Sequence, residues 1–300
     1  MSKILLLGGC GYIGSVLYDS LRINHHVEIV DLEWFGKPIA DRSSSKDYRN
    51  LVKGYVQEFD CVVLCAGHSS VPICNSDRYG AFQNNVVNWM GLVEKLRDDQ
   101  KFLYMSSSCV YTNDSDTPSV ETDVLYPPVD DLTITKQTID HYASLYHSKR
   151  IYSLRLGSVN GSSPNLREDL MINCMVRRAR NDRSVHVFNP DCYRPILSTH
   201  DLSRAIARIV EADGAPGVYN ISSFSGKIGD IGKIVANLTS SSLTIEQGAG
   251  TYSFTMNTNK FCKEFDFEFE DGLQEVVYDL LARGKRPGKH RDEIPGGVYR

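Results

Sequence analysis

The chain has 300 residues, 41% of them hydrophobic, which is enough to bury a sizeable core as one large domain or two modest ones. A formal net charge of -4, with the 23% of charged residues interspersed along the chain, excludes a general attraction to nucleic acid or to an anionic membrane surface. The longest apolar runs, such as Cys61-Val62-Val63-Leu64-Cys65, are of strand length and far too short for a membrane span; with no signal sequence ahead of the first strand, the expected setting is the cytoplasm.

The first element is also the most informative. Ile4-Leu5-Leu6-Leu7 breaks directly into Gly8-Gly9-Cys10-Gly11-Tyr12-Ile13-Gly14, in which Gly8, Gly11 and Gly14 are spaced three apart. The pattern predicts a strand, a tight turn and the start of a helix. Gly8 lets the backbone turn, Gly11 lets a pyrophosphate approach the main chain, and Gly14 lets the helix pack closely on the strand. Val16, Leu17 and Leu21 continue at helical spacing, and a second strand over 27–30 ends at Asp31, a carboxylate placed to grip a ribose diol. The stretch over 42–47 lacks periodicity and predicts a loop or short helix.

Further strands are expected over 61–65, 102–106 and 151–156, with crossover helices over 79–96 and 135–146. This alternation predicts an α/β fold, a Rossmann-type doubly wound parallel sheet built from right-handed βαβ units. After Gly157 the texture changes to Gly/Ser/Pro/Asn loops, with a helix over 170–179, short strands over 185–188 and 218–221, and a capped amphipathic helix over 201–210. The expected division is an NAD-binding domain over 1–157, joined by parts of 196–222, and a smaller, interleaved substrate-binding region over 158–300. The basic, Pro/Gly-rich segment 285–291 reads as a frayed or partner-docked tail. The eight cysteines fall mostly in apolar segments without metal-ligand spacing, which predicts reduced core residues and no metal site.

Taken in order, these segments resemble the extended short-chain dehydrogenase/reductases, the NAD-dependent nucleotide-sugar epimerases and dehydratases, over nearly the whole chain. Besides the glycine turn with Tyr12 and Ile13, Asp41-Arg42 lies where that family puts an adenine-contacting pair. Leu64-Cys65-Ala66-Gly67-His68 resembles its "HLAA" strand end beside the cofactor, and Asn85-Val86 its structural Asn-Val. Arg155 begins a form of the "RxxNVYG" element, with Ser158 in place of its phosphate-touching Asn. Arg194 to Leu202 is similar to "RDFIHVDDL", whose Arg grips the substrate diphosphate, and Asn257 to Lys260 resembles "DTSK". The resemblance therefore implies a nucleotide-diphosphate sugar as substrate, with Arg194, His68, Ser69 and Ser158 facing it, and leaves a homodimer open.

NAD is expected rather than its phosphorylated relative. A carboxylate at Asp31 accepts hydrogen bonds from two ribose hydroxyls and repels a 2'-phosphate, and Leu32 and Glu33 add no cation, although Arg42 is long enough to reach one.

Such enzymes use Ser or Thr, a Tyr and a Lys, with Tyr-x-x-x-Lys on one helix and the lysine lowering the phenol's pKa. Here Ser107 and Lys136 remain, but the tyrosine slot holds Leu132. If the strand continues past Ser107, Cys109 shares its face and its thiol can act as acid or base beside Lys136, or it is a small buried filler. Tyr111 is another candidate phenol or a packing residue, and Lys136 doubles as a ribose-binding cation. The sequence thus predicts an NAD-dependent epimerase or dehydratase with an atypical site. A catalytically degenerate NAD/sugar-nucleotide sensor or scaffold, and a reductase of a non-nucleotide carbonyl compound, are the alternatives.

Overall fold

In the computed structural model, which describes residues 1–34, 36, 43–111, 117–125, 127–248 and 250–282, the strands of the first half form one parallel sheet. Its strands β1 (Lys3–Leu7), β2 (His26–Asp31), β3 (Ser43–Ser45), β4 (Cys61–Leu64), β5 (Lys101–Ser107) and β6 (Arg150–Leu156) lie in the order 3-2-1-4-5-6. A seventh strand, Gly217–Ile221, adds in parallel to β6. The chain winds outward from β1 in both directions, so the carboxyl ends of β1 and β4 flank the crevice where such sheets hold ligands.

The apolar runs form strands because both faces are covered. Ile4 and Leu6 pack with Leu17 and Leu21 of α1 (Tyr12–Leu21), while Leu5 and Leu7 face the opposite layer with Phe102 and Trp89. Two sequence expectations change here. The 42–47 stretch contributes β3, whose three serines carry no apolar pattern and are held by backbone pairing with Ile29, Val30 and Asp31. The helix expected over 79–96 is interrupted. After the short α2 (Lys53–Val56) and α3 (Val71–Ser76) come α4 (Arg78–Phe82), a π-helical turn at Gln83–Val87, and α5 (Asn88–Val93). The next helix, α6 (Asp131–Ala143), begins four residues earlier than its apolar spacing suggested, because the Asp130 carboxylate accepts from the Thr133 N–H at 2.8 Å and caps it.

The second half contributes β7 (Ser158–Asn160), α7 (Met171–Asp182), β8 (Ser184–Phe188), β9 (Tyr193–Ser198) and α8 (Thr199–Glu211). It continues with β10, the strand Gly217–Ile221 already met, then β11 (Phe224–Lys227), α9 (Ile228–Thr239), β12 (Ser242–Glu246), α10 (Asn259–Phe265) and α11 (Leu273–Ala282). β11, β9 and β7 make a small sheet, and β12 pairs with β8. Ile172, Val176, Ile231 and Val277 form a separate apolar core there, whereas Leu202, Ile206 and Ile209 of α8 pack into the core beside α1. Among the described residues no helix is long and apolar enough to cross a membrane.

One buried polar cluster ties α6 to the sheet. The Arg155 Nε lies 2.8 Å from Asp140 Oδ2, with the side chains only 5% and 2% exposed. Tyr104 and Ser153 donate to Asp140 Oδ1 at 2.7 and 2.5 Å, and Arg155 also reaches the Tyr111 hydroxyl at 2.6 Å. Replacing Arg155 by Leu strands a buried carboxylate, which should cost about 3–5 kcal/mol in urea unfolding. A loss below about 1 kcal/mol would mean that water compensates Asp140.

Candidate active site

A cavity of about 1370 Å³ opens at the carboxyl ends of β1 and β4, lined by residues of both halves of the chain. The glycine turn forms one wall. At Gly8, φ is +83° and a Cβ would fall 2.5 Å from the Ala66 nitrogen, so both conformation and space demand glycine. A Cβ at Gly14 would fall 2.1 Å from the Gly8 carbonyl oxygen, which is how closely α1 approaches the turn. Gly11 differs: its Cβ would meet only the Gly8 oxygen at 3.4 Å, leaving bare backbone at a helix start that has no side-chain cap. Bare N–H groups at a helix N-terminus fit a pyrophosphate. Tyr12 and Ile13 line the same wall.

Asp31 closes the far end of β2 and lines the cavity. Its carboxylate accepts from the Cys10 N–H at 2.9 Å and the Glu33 N–H at 2.6 Å, tying the glycine turn to the strand. Burial raises its pKa, and the two N–H contacts oppose that rise. Asp41 and Arg42, expected beside the adenine, lie outside the described residues.

The end of β4 brings Leu64, Cys65 and Ala66 to the floor, where burial pushes the Cys65 thiol up to about 12 and keeps it protonated. His68 follows, and the π-helical turn has a visible role. Asn85 clamps the His68 main chain, accepting from its N–H at 2.9 Å and donating to its carbonyl at 3.0 Å, and also donates to Thr135 Oγ1 of α6 at 3.1 Å. Asn84 meets the His68 ring Nδ1 at 3.2 Å and accepts from Tyr48. An ordinary α-helical turn would not point consecutive asparagines at one residue. Burial lowers the imidazole's pKa, so it stays neutral near pH 7.

Ser107, Lys136 and Leu132 all line the cavity, Leu132 one helical turn before Lys136. Lys136 Nζ donates to the Met105 carbonyl at 2.6 Å, and burial lowers its pKa. Leu132 is 8% exposed and packs with Cys74, Ala81 and Cys109. Ser69 and Ser158 line the cavity as well.

Three expected site residues are elsewhere. The strand does not continue past Ser107. A 3-10 turn over Ser108–Val110 follows, capped by Ser107 Oγ accepting from the Cys109 N–H at 3.2 Å, so Cys109 turns away into the apolar cluster around Leu132, where burial raises its pKa. Tyr111 is 2% exposed, and its hydroxyl donates to Asn220 at 2.8 Å and accepts from Arg155. Burial pushes that phenol up to about 12, and it belongs to the cluster beneath the site. Arg194 lies on β9 outside the cavity lining, donating to Thr251 Oγ1 and standing 5.8 Å over the Tyr252 ring.

The other half closes over the glycine turn. Asn165 Nδ2 donates to the Cys10 carbonyl at 2.7 Å, Ser163 Oγ to the Tyr12 carbonyl at 2.8 Å, and the Tyr12 hydroxyl to the Gly161 carbonyl at 2.8 Å. Asn84, Asn165 and Arg167 are cavity residues that the sequence reading did not single out. Asn85, as the family's structural Asn, was the nearest signal, and the loop residues lack any periodic pattern. His200, Asp201 and Asp271 also gather within 4.8 Å, but Ser223, Arg204 and two backbone N–H groups engage Asp201 there, which makes the cluster a helix-end brace.

The sequence profile of the "NAD dependent epimerase/dehydratase family" matches residues 4–222. The chain is 26% identical to Protein CapI of Staphylococcus aureus over 238 residues, 71% of each chain. Among solved structures it is similar to UDP-glucuronic acid 4-epimerase from Bacillus cereus, in complex with UDP-glucuronic acid and NAD, with TM-score 0.82, 20% identity, and 93% and 98% of the two chains covered. It is also similar to UDP-N-acetylglucosamine 4-epimerase from Methanobrevibacter ruminantium, with TM-score 0.83, 19% identity, and 94% and 99% covered.

The geometry of the turn predicts that Gly11→Val weakens NAD at least about tenfold in equilibrium titration, an energy of about 1.4 kcal/mol. Unchanged affinity would remove the pyrophosphate from this turn. Asp31→Ser should weaken NAD by about 1.5–3 kcal/mol and NADP by less, and an unaltered preference between the two would take Asp31 out of the ribose site.

Proposed function

The chain belongs to the NAD dependent epimerase/dehydratase family, and from that premise we propose that it epimerises or dehydrates a nucleotide-diphosphate sugar through a keto intermediate, with Leu132 in the usual tyrosine slot. The observation that carries the reading is the convergence of Ser107, Lys136 and Leu132 on the cavity beside the glycine turn. NAD, when bound there, would supply the hydride acceptor and donor that oxidation and reduction at a sugar carbon require. Gly8 to Gly14 would hold its pyrophosphate, Asp31 its adenosine ribose, and Lys136 the ribose of its nicotinamide end. His68, Ser69 and Ser158 bind and orient the sugar.

Without a phenol, Ser107 and Lys136 are left to move the proton. The Ser107 hydroxyl takes the sugar hydroxyl's proton as the hydride leaves carbon and passes its own to the Lys136 amine. Burial of Lys136 supports this role, because it favours the neutral amine. The amine must be unprotonated to accept, so turnover should rise with pH until it passes the lowered pKa of Lys136. Loss of the phenol costs about 10²–10⁴ in rate relative to an intact triad.

The packing of Leu132 against Cys74, Ala81 and Cys109 favours one second reading, a degenerate NAD/sugar-nucleotide sensor, because the tyrosine's place is filled with apolar side chains. It also means that Leu132→Tyr has to force a phenol into a packed site. A homodimer in the cytoplasm completes the proposal: Phe82, Val87, Ile134, Tyr142 and Leu145 are exposed on α4, the π turn, and α6 with the residues just after it. A sedimentation coefficient of a monomer at micromolar concentration would remove the dimer.

The deciding test loads the protein with NAD, adds UDP-, GDP-, dTDP- or CDP-sugars in deuterated water, and follows sugar ring protons by NMR. Exchange or a new epimer or dehydrated product with at least one sugar, increasing with pH, is expected. Binding of NAD and a sugar together with neither exchange nor NADH formation would favour the sensor, and no binding of any sugar would defeat the substrate class.

A further inference from the structure

With Arg194 outside the lining, another cation stands at the junction of the two halves. Arg167 lines the cavity with its side chain 18% exposed, and its guanidinium is held in a fork by Asp169, Nε to Oδ1 at 3.1 Å and Nη2 to Oδ2 at 2.7 Å. Asp169 is 54% exposed and lines the mouth of the same cavity, so the arginine's partner is a largely solvated carboxylate. The root of Arg167 is fixed from both directions. Asn165, two residues before it, holds the Cys10 carbonyl of the glycine turn at 2.7 Å, and Asn173 donates to the Arg167 carbonyl at 2.8 Å. The side chain thus has a fixed root beside a helix N-terminus and a head resting on an exposed carboxylate.

We propose that Arg167 binds a diphosphate in this cavity and rests on Asp169 until that diphosphate displaces the carboxylate. A fork of guanidinium N–H groups fits phosphate as well as it fits carboxylate, and a contact inside a cavity is far stronger than one to a solvated side chain. The anion is already favoured there by the start of α1. Asp169 is the acidic side chain in contact with the arginine, and Glu168, next to it in the chain, lies 3.9 Å from Arg177. Asp169 therefore competes with the ligand for the same N–H groups. Two molecules carry the chemistry, NAD through its pyrophosphate and a nucleotide sugar through its diphosphate, and only the second rests on the function proposed above.

Calorimetric titration of wild type, Arg167→Gln, Arg167→Lys, Asp169→Asn and Arg194→Ala separates the possibilities, first with NAD and then with UDP-, GDP-, dTDP- and CDP-glucose added to NAD-saturated protein. Arg167→Gln should weaken one of the two ligand classes by about ten- to a hundredfold, and Arg167→Lys should recover part of the loss. Asp169→Asn should tighten that same ligand by about two- to fivefold, because it removes the competitor. A structural ion pair predicts the opposite sign for Asp169→Asn, so weakening by both variants overturns the proposal. So does unchanged affinity for every ligand that wild type binds, or a loss confined to Arg194→Ala. If wild type binds no sugar nucleotide, the proposed substrate falls, while the NAD titrations still decide Arg167.

Discussion

Hydrogen bonds from the chain after β7 to the carbonyls of the glycine turn hold the site together. Asn165 takes the Cys10 carbonyl, Ser163 the Tyr12 carbonyl, and the Tyr12 hydroxyl returns to Gly161, so the residues that form the glycine turn are also the dock for the other half. Gly161 has to be glycine for this: its φ is +132°, and a Cβ would fall 2.4 Å from Thr199 Oγ1. Each buried carbonyl left without a donor would cost about 1–3 kcal/mol, so the dock is specified by satisfaction of backbone groups as much as by apolar burial. The cavity walls, the position of Arg167 and the approach of Ser158 all follow from it.

On the opposite wall the same logic governs α6. Asp140 and Arg155 fix its middle to β6, Asp130 caps its start, and Asn85 reaches its Thr135 from the π-helical turn. Lys136 is thereby held on the Met105 carbonyl with little freedom, and its neighbour one turn earlier is fixed too. Leu132 is thus a packed side chain in a rigid helix. Its apolar partners Cys74 and Ala81 come from α3 and α4, whose ends are also joined to the start of α6 by the Arg78–Asp131 ion pair at 3.1 Å. Under the proposed reading, in which Leu132 takes the place of the tyrosine, its surroundings match it, so restoring a phenol alone is a poor test of activity.

How much of this could be read in advance depends on which physical signal each element carries. The run Ile4 to Gly14 announces strand, turn and helix because a buried parallel strand is apolar on both faces and the turn needs glycine at fixed offsets. Asp31 could be placed as a carboxylate at the end of a strand, whereas Ser107 and Lys136 were reached through the family resemblance; all three line the cavity. β3 was not, because Ser43 to Ser45 pair through backbone alone. The π turn carries no periodic mark, since what accompanies it is a set of tertiary contacts, Asn84 and Asn85 both meeting His68. Cys109 was misplaced by assuming that strand alternation outlasts the strand, and Arg167 went unnoticed because only tertiary docking of an irregular loop brings it beside the turn.

What the protein holds when purified decides most directly between an occupied cofactor and sugar site and an empty one. Mass spectrometry of the small molecules released on denaturing freshly purified protein should find NAD or NADH together with a nucleotide-diphosphate sugar or its keto form. Protein that releases neither, and takes up neither when both are supplied in excess before desalting, would contradict the assignment of this cavity to a cofactor and a sugar nucleotide.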